Sequence, residues 1–87
     1  VLNLNALIDT EDEDQYVTVS IRQITECNSI ENEIEITSVN ILNGANVEIT
    51  LPTGVYNVAA FCNNKETITH LDIIIEKDNP YSLSIEI

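Results

Sequence analysis

Residues 51–62, LPTGVYNVAAFC, restrict what this chain can fold into more than any other stretch. Pro52 holds its own φ at about −65°, and Gly54 is free to adopt positive φ, so Pro52-Thr53-Gly54 is a turn with a physical cause. Beyond the turn, Tyr56, Val58, Ala60 and Cys62 share one face at period two, while Val55, Asn57, Ala59 and Phe61 share the other. A strand that is apolar on both faces belongs in the middle of its sheet. The neighbouring strands should therefore register on residues 55–62.

The rest of the chain repeats the period. Leu2, Leu4, Ala6 and Ile8 define a first strand ending at Asp9, with Asn3 and Asn5 toward solvent. Tyr16 to Ile24 alternates until Gln23, where the phase breaks and a bulge or the end of pairing is expected. Glu26 to Glu33 reads as a polar connection with room for one helical turn. Glu33 to Leu42 places Ile34 and Ile36 inward and slips phase at Thr37 and Ser38 before Val39 and Ile41. Asn43-Gly44 predicts a type I′ hairpin into Val47, Ile49 and Leu51. Leu71, Ile73 and Ile75 share a face of the next strand, with Ile74 behind them; Tyr81, Leu83, Ile85 and Ile87 make the last. About seven short strands with turn chemistry between them, and no 3.6 period, predict an all-β domain: an antiparallel two-sheet sandwich, Ig-like or transthyretin-like. Residues 1–87 form one domain, with no linker or repeat to divide them.

Charge narrows the partners. Fifteen acidic residues against three basic ones give a formal −12, which repels phosphate backbones and anionic headgroups. Nucleic acid and membrane insertion are excluded as roles for this segment; a protein partner, a neighbouring domain or self-association is expected. Cys27 and Cys62, 35 positions apart and with no CxxC spacing, predict a disulfide and hence an oxidising compartment, the alternative being buried free thiols. The sequence contains no Met, so a processed chain or a piece of a longer one is expected.

From Asn43 onward the chain resembles the transthyretin-like or carboxypeptidase-regulatory-like sandwich modules of bacterial surface and secreted proteins. The residues that carry the likeness are Asn43-Gly44, then Leu51-Pro52-x-Gly54-x-Tyr56-x-Val58, then Tyr81-x-Leu83-x-Ile85-x-Ile87. The likeness covers roughly half of the chain, and the first half departs from the family, with LNLNALID and an acidic loop in place of its usual opening strand. It implies a non-catalytic exported module that binds, docks or spaces, located extracellularly, at the cell surface or in the periplasm.

Chemistry-bearing clusters are few. Asp9, Glu11, Asp12, Glu13 and Asp14 gather hard oxygen ligands as calcium requires, although no frame supplies the Gly and Glu of an EF-hand. A weak calcium site formed by Asp9, Glu11, Asp12 and Asp14, with Asp72 or Asp78 joining from elsewhere, is one alternative; a solvated loop is the other. No other cofactor is expected. His70, the sole imidazole, has Glu66 and Asp72 near it in sequence but no nucleophile in a strained turn, so no enzyme activity is expected. Among the tyrosines, Tyr56 and Tyr81 read as structural, leaving Tyr16 as an exposed aromatic. Val55, Ala59, Phe61 and Ile74 lie on what should be a wet face, and they are the candidate interaction patch. A rival role is that of a fibre or adhesin subunit extended by strand addition at Val1 to Ile8 or at Tyr81 to Ile87.

Overall fold

The computed structural model describes residues 1–11, 15–27, 30–63 and 65–87. Seven strands follow in order: β1 (Leu2–Leu7), β2 (Tyr16–Cys27), β3 (Ile30–Leu42), β4 (Asn46–Ile49), β5 (Gly54–Phe61), β6 (Ile68–Ile75) and β7 (Tyr81–Glu86). They form a three-stranded sheet, β4-β1-β7, and a four-stranded sheet, β3-β2-β5-β6. Both sheets turn β-branched and Leu side chains into one shared core: Leu2, Leu4, Ala6 and Ile85 from the smaller sheet meet Val17, Val19, Ile21, Tyr56, Val58, Ile73 and Ile75 from the larger. The all-β two-sheet sandwich expected from the period-two pattern is the architecture observed.

β5 lies inside its sheet, paired with β2 on one side and β6 on the other. Tyr56, Val58 and Ala60 enter the core, as their alternation requires. The turn before it is fastened by Tyr56, whose hydroxyl donates to the Pro52 carbonyl at 2.6 Å. This is the logic of a tyrosine corner, in which a buried ring ties its polar tip to backbone a few residues upstream. A Cβ on Gly54 would come within 3.0 Å of the Gln23 amide nitrogen, so the bare backbone is what admits Gln23 and the Tyr56 ring together.

Several local expectations are overturned. The pairing is not wholly antiparallel, because β1 and β7 run parallel, Leu2 facing Tyr81 through Leu7 facing Glu86. Asn43-Gly44 makes no hairpin: β3 and β4 belong to different sheets, and the turn carries the chain across the sandwich. Ala45 N–H donates to Leu42 C=O at 2.9 Å, and Gly44 has φ of 82° while Asn43 is not in the positive-φ region, so type I′ is ruled out and a type II turn fits. The crossing is held by its neighbours, since Asn43 Oδ1 accepts from Ile8 N–H and Gly44 N–H donates to Ala6 C=O.

Most of the expected connection over 26–33 is strand, because β2 continues to Cys27 and β3 begins at Ile30; residues 28 and 29 lie outside the described residues. The phase slip in β3 is a bulge at Ile36: Ile21 faces Thr37 and Arg22 faces Glu35, leaving Ile36 unmatched. Past that bulge Arg22 to Ile24 still pair with β5, and only beyond Ile24 do β2 and β3 run on paired with each other alone; Ile34 and Ile36, expected inside, are 53% and 45% exposed at the edge of the sheet. A second bulge sets Leu71 and Asp72 against Asn57, between the pairs Tyr56–Ile73 and Val58–His70. It turns Leu71 outward, where alternation alone would bury it with Ile73 and Ile75.

The disulfide is not formed. Cys62 is a free thiol, near enough to Gln15 for its Nε2 to donate to the sulfur at 3.2 Å. Cys62 follows Phe61, which pairs with Thr18. Cys27 lies nine residues further along β2, and at the usual rise per residue that is about 30 Å away, whereas a bridge needs Cα atoms within about 7 Å.

Candidate functional site

Three surfaces result from this arrangement. The first is the outer face of the four-stranded sheet, where the ladder stacks residues in rows. One row is Glu33, Ile24, Val55 and Ile74, so that two of the expected patch residues meet and acquire Ile24 as a third apolar neighbour. The next row is Glu35, Arg22 and Asn57, and it is polar. There Arg22 Nη1 sits 3.6 Å from Glu33 Oε1 and its Nε donates to Ser20 Oγ at 3.2 Å. Ser20 in turn donates to Glu35 Oε1 at 2.5 Å, which satisfies a hydroxyl that is almost fully buried. Ala59, beside Ser20, is only 4% exposed. It is a floor residue of this face and not part of a contact patch.

Phe61 stands at the far end of the same face, exposed and separated from Val55 by the polar row. It lines a small pocket of about 160 Å³ with Tyr16, Thr18, Cys62 and Asn63. The expected four-residue patch is thus two patches: Ile24–Val55–Ile74 at one end and Tyr16–Phe61 at the other. Period two alone identified the face but not Ile24 or Tyr16, because cross-strand register decides who shares a row.

The second surface is the outer face of the three-stranded sheet, a shallow trough of about 570 Å³. Its floor carries Asn3 and Asn5, flanked by Glu48 and Asn46 on β4 and by Ser82 and Ser84 on β7. Asn5 Nδ2 donates to Asn46 Oδ1 at 2.7 Å. In a chain of −12, the trough presents amides and hydroxyls with Glu48 as its one charged lining residue, and Glu86 lies further along the same face.

The third surface is the sheet edges. β1, expected as an open edge, is interior, with β4 on one side and β7 on the other. Strand addition at Val1 to Ile8 is therefore ruled out, whereas β7 is an edge, as expected.

The remaining candidates fare as follows. Asp12 and Asp14 lie outside the described residues; Asp9 and Glu11 are exposed, and Lys65 Nζ donates to the Asp9 carbonyl at 2.8 Å. Among the described residues no three His, Cys, Asp or Glu side chains converge on a metal position. Asp78 belongs to the turn before Tyr81, whose N–H bonds Val1, at the opposite end of the sandwich from the loop that follows Ile8. Asp72 sits at the β6 bulge, its N–H bonded to Asn57 Oδ1 at 3.2 Å. Among the described residues, neither aspartate forms a metal-ligating cluster with Asp9 or Glu11. His70 faces Val58, and its Nε2 is buried without a partner among the described residues. Burial raises the Tyr56 phenol above its ordinary value, because the charged form would lose water.

The geometry defines an all-β sandwich whose distinguishing features are surfaces and edges. No family model, no curated protein and no solved structure matches the chain. Among the described residues no helix is long and apolar enough to cross a membrane.

Proposed function

We propose that the chain is a non-catalytic docking and spacing module that contacts a protein partner or neighbouring domain through the outer face of its four-stranded sheet. The observation that carries this reading is the Ile24–Val55–Ile74 row, which spans three strands and leaves Ile74 54% exposed on a domain otherwise strongly charged. A contiguous apolar row rimmed by polar groups, here Glu33 and Arg22, has the form of an interaction site. The likeness of Leu51–Val58 and Tyr81–Ile87 to transthyretin-like or carboxypeptidase-regulatory-like modules supports the same role, and the Tyr56–Pro52 bond gives that segment a structural purpose. Placement at a cell surface or in a periplasm rests on this likeness alone, since the cysteine pair no longer argues for it.

Photo-crosslinking tests the reading directly. A benzoylphenylalanine replacing Ile74 in the native cell should give a discrete protein adduct, and the same probe replacing Asn3 should not. Absence of adducts at position 74, or equal adducts at both positions, rejects the four-stranded face as the docking surface.

A further inference from the structure

We infer that the open edge of β7 is a second binding site, which accepts an extended segment of another protein in which apolar and basic residues alternate. Among the described residues the two sheets end in four edge strands, β3, β4, β6 and β7, and three of them are blunted. β3 carries Glu31, Glu33 and Glu35 and a bulge at Ile36. β6 is broken by its bulge, with Asp72 in the left-handed region at φ 57°. β4 is four residues long. Charges, bulges and brevity are the devices by which sheet edges avoid new partners. β7 is the least protected: it is longer than β4, runs unbroken by a bulge from Tyr81 to Glu86, and carries a single charged residue, at its end.

The ladder fixes which groups are on offer. Tyr81 and Ile87 donate to Val1 and Leu7, so the odd-numbered residues of β7 face β1. Backbone donor and acceptor of one strand residue point to the same side and alternate along the strand. The N–H and C=O of Ser82, Ser84 and Glu86 consequently point away from β1, toward the open edge. The small sheet is also one strand narrower than the sheet it covers, and a strand beside β7 would make the layers equal at four each.

The occupant's chemistry follows from both faces of that gap. Tyr81, Leu83 and Ile87 are half-buried on the inward side, where an added strand needs apolar side chains. On the outward side, Glu86 closes the row of Ser82 and Ser84, and the whole chain carries −12, so the outward positions call for Lys or Arg. A second copy of this chain would bring another −12 and no compensating cation to this edge, which is why a basic segment of a different protein is the better occupant.

The probe is a capped heptapeptide of alternating lysine and valine, titrated into the intact chain with amide hydrogen exchange as the readout. At saturation the Ser82, Ser84 and Glu86 amides should exchange at least about tenfold more slowly, with the β3 and β6 edge amides unchanged. Glu86→Lys should weaken binding about fivefold, and Ser84→Pro, which deletes one outward N–H, should abolish it. If Ser84→Pro does not fold, Glu86→Lys and the exchange pattern decide. The inference is overturned by any of three results: no protection at β7, equal protection from a peptide with the same residues in two blocks, or protection that grows with protein concentration in the absence of peptide. The last would identify a second copy as the occupant. Ile74→Lys should leave peptide binding unchanged, which separates this edge from the docking face.

Discussion

Two sets of chemically similar residues lie on the β2–β3 pair and meet different fates. On β2, which is interior to its sheet and paired with both β3 and β5, Val17, Val19 and Ile21 are fully buried beneath β1 and its neighbours. On β3, which is the edge of that sheet, Ile30, Ile34 and Ile36 are 64%, 53% and 45% exposed. Both sets are β-branched, alternating and hydrogen-bonded in the same ladder. Burial is therefore decided by a strand's place in its sheet and by what lies over it, not by the strand's own pattern.

Truncating a residue in each set should expose the contrast most strongly. Ile21→Ala opens a hole in a packed interior and should lower unfolding free energy by about 3 kcal/mol, whereas Ile34→Ala should change it by less than about 0.5 kcal/mol. Urea denaturation of the two variants checks this, and equal losses would mean that the β3 edge is packed in solution.

Tyr56→Phe tests the corner that anchors the covered end, and removing a hydroxyl bonded at 2.6 Å should cost about 1 to 2 kcal/mol. The sign of the pH effect follows from the raised phenol. In the unfolded chain Tyr56 ionises near its ordinary value of about 10, before the folded group does. Its contribution is thus complete below that pH and is lost as pH rises toward the folded value. Wild-type stability should fall more steeply above about pH 10 than that of Tyr56→Phe, as followed by denaturant midpoints.

The smallest effect belongs to the crossing turn. Gly44 has no neighbour for an added Cβ but sits at φ 82°, so Gly44→Ala should lose about 1 kcal/mol through backbone strain alone. A larger loss would indicate that the turn, with Asn43 bonded to Ile8, is what sets the spacing of the two sheets.

These contrasts show how much of the molecule was legible in its residues. β5 was readable because the turn, the two-faced alternation and Tyr56 all point to one central strand. Asn43-Gly44 does not reveal its role, because a positive-φ turn bends the chain equally well within a sheet or between sheets. Ile34 and Ile36 read as inward because alternation records which side chains share a face and says nothing of what lies opposite. The cysteines differ from expectation for a related reason: two sulfurs in a short chain suggest a bridge, but Cys27 ends the twelve-residue β2 while Cys62 follows Phe61, which pairs with Thr18 near the start of that strand. At the candidate sites, Val55 and Ile74 were identified from sequence, whereas Ile24 and Tyr16 depended on register that no single strand encodes.

The parallel pairing of β1 and β7 also determines how the domain would carry tension. Val1 and Ile87 lie at opposite ends of that ladder. A pull applied to the two ends would slide the strands past one another, so that the bonds between them resist together and not one after another. A spacer assembled in this way would hold its length under load until the whole ladder gave way at once.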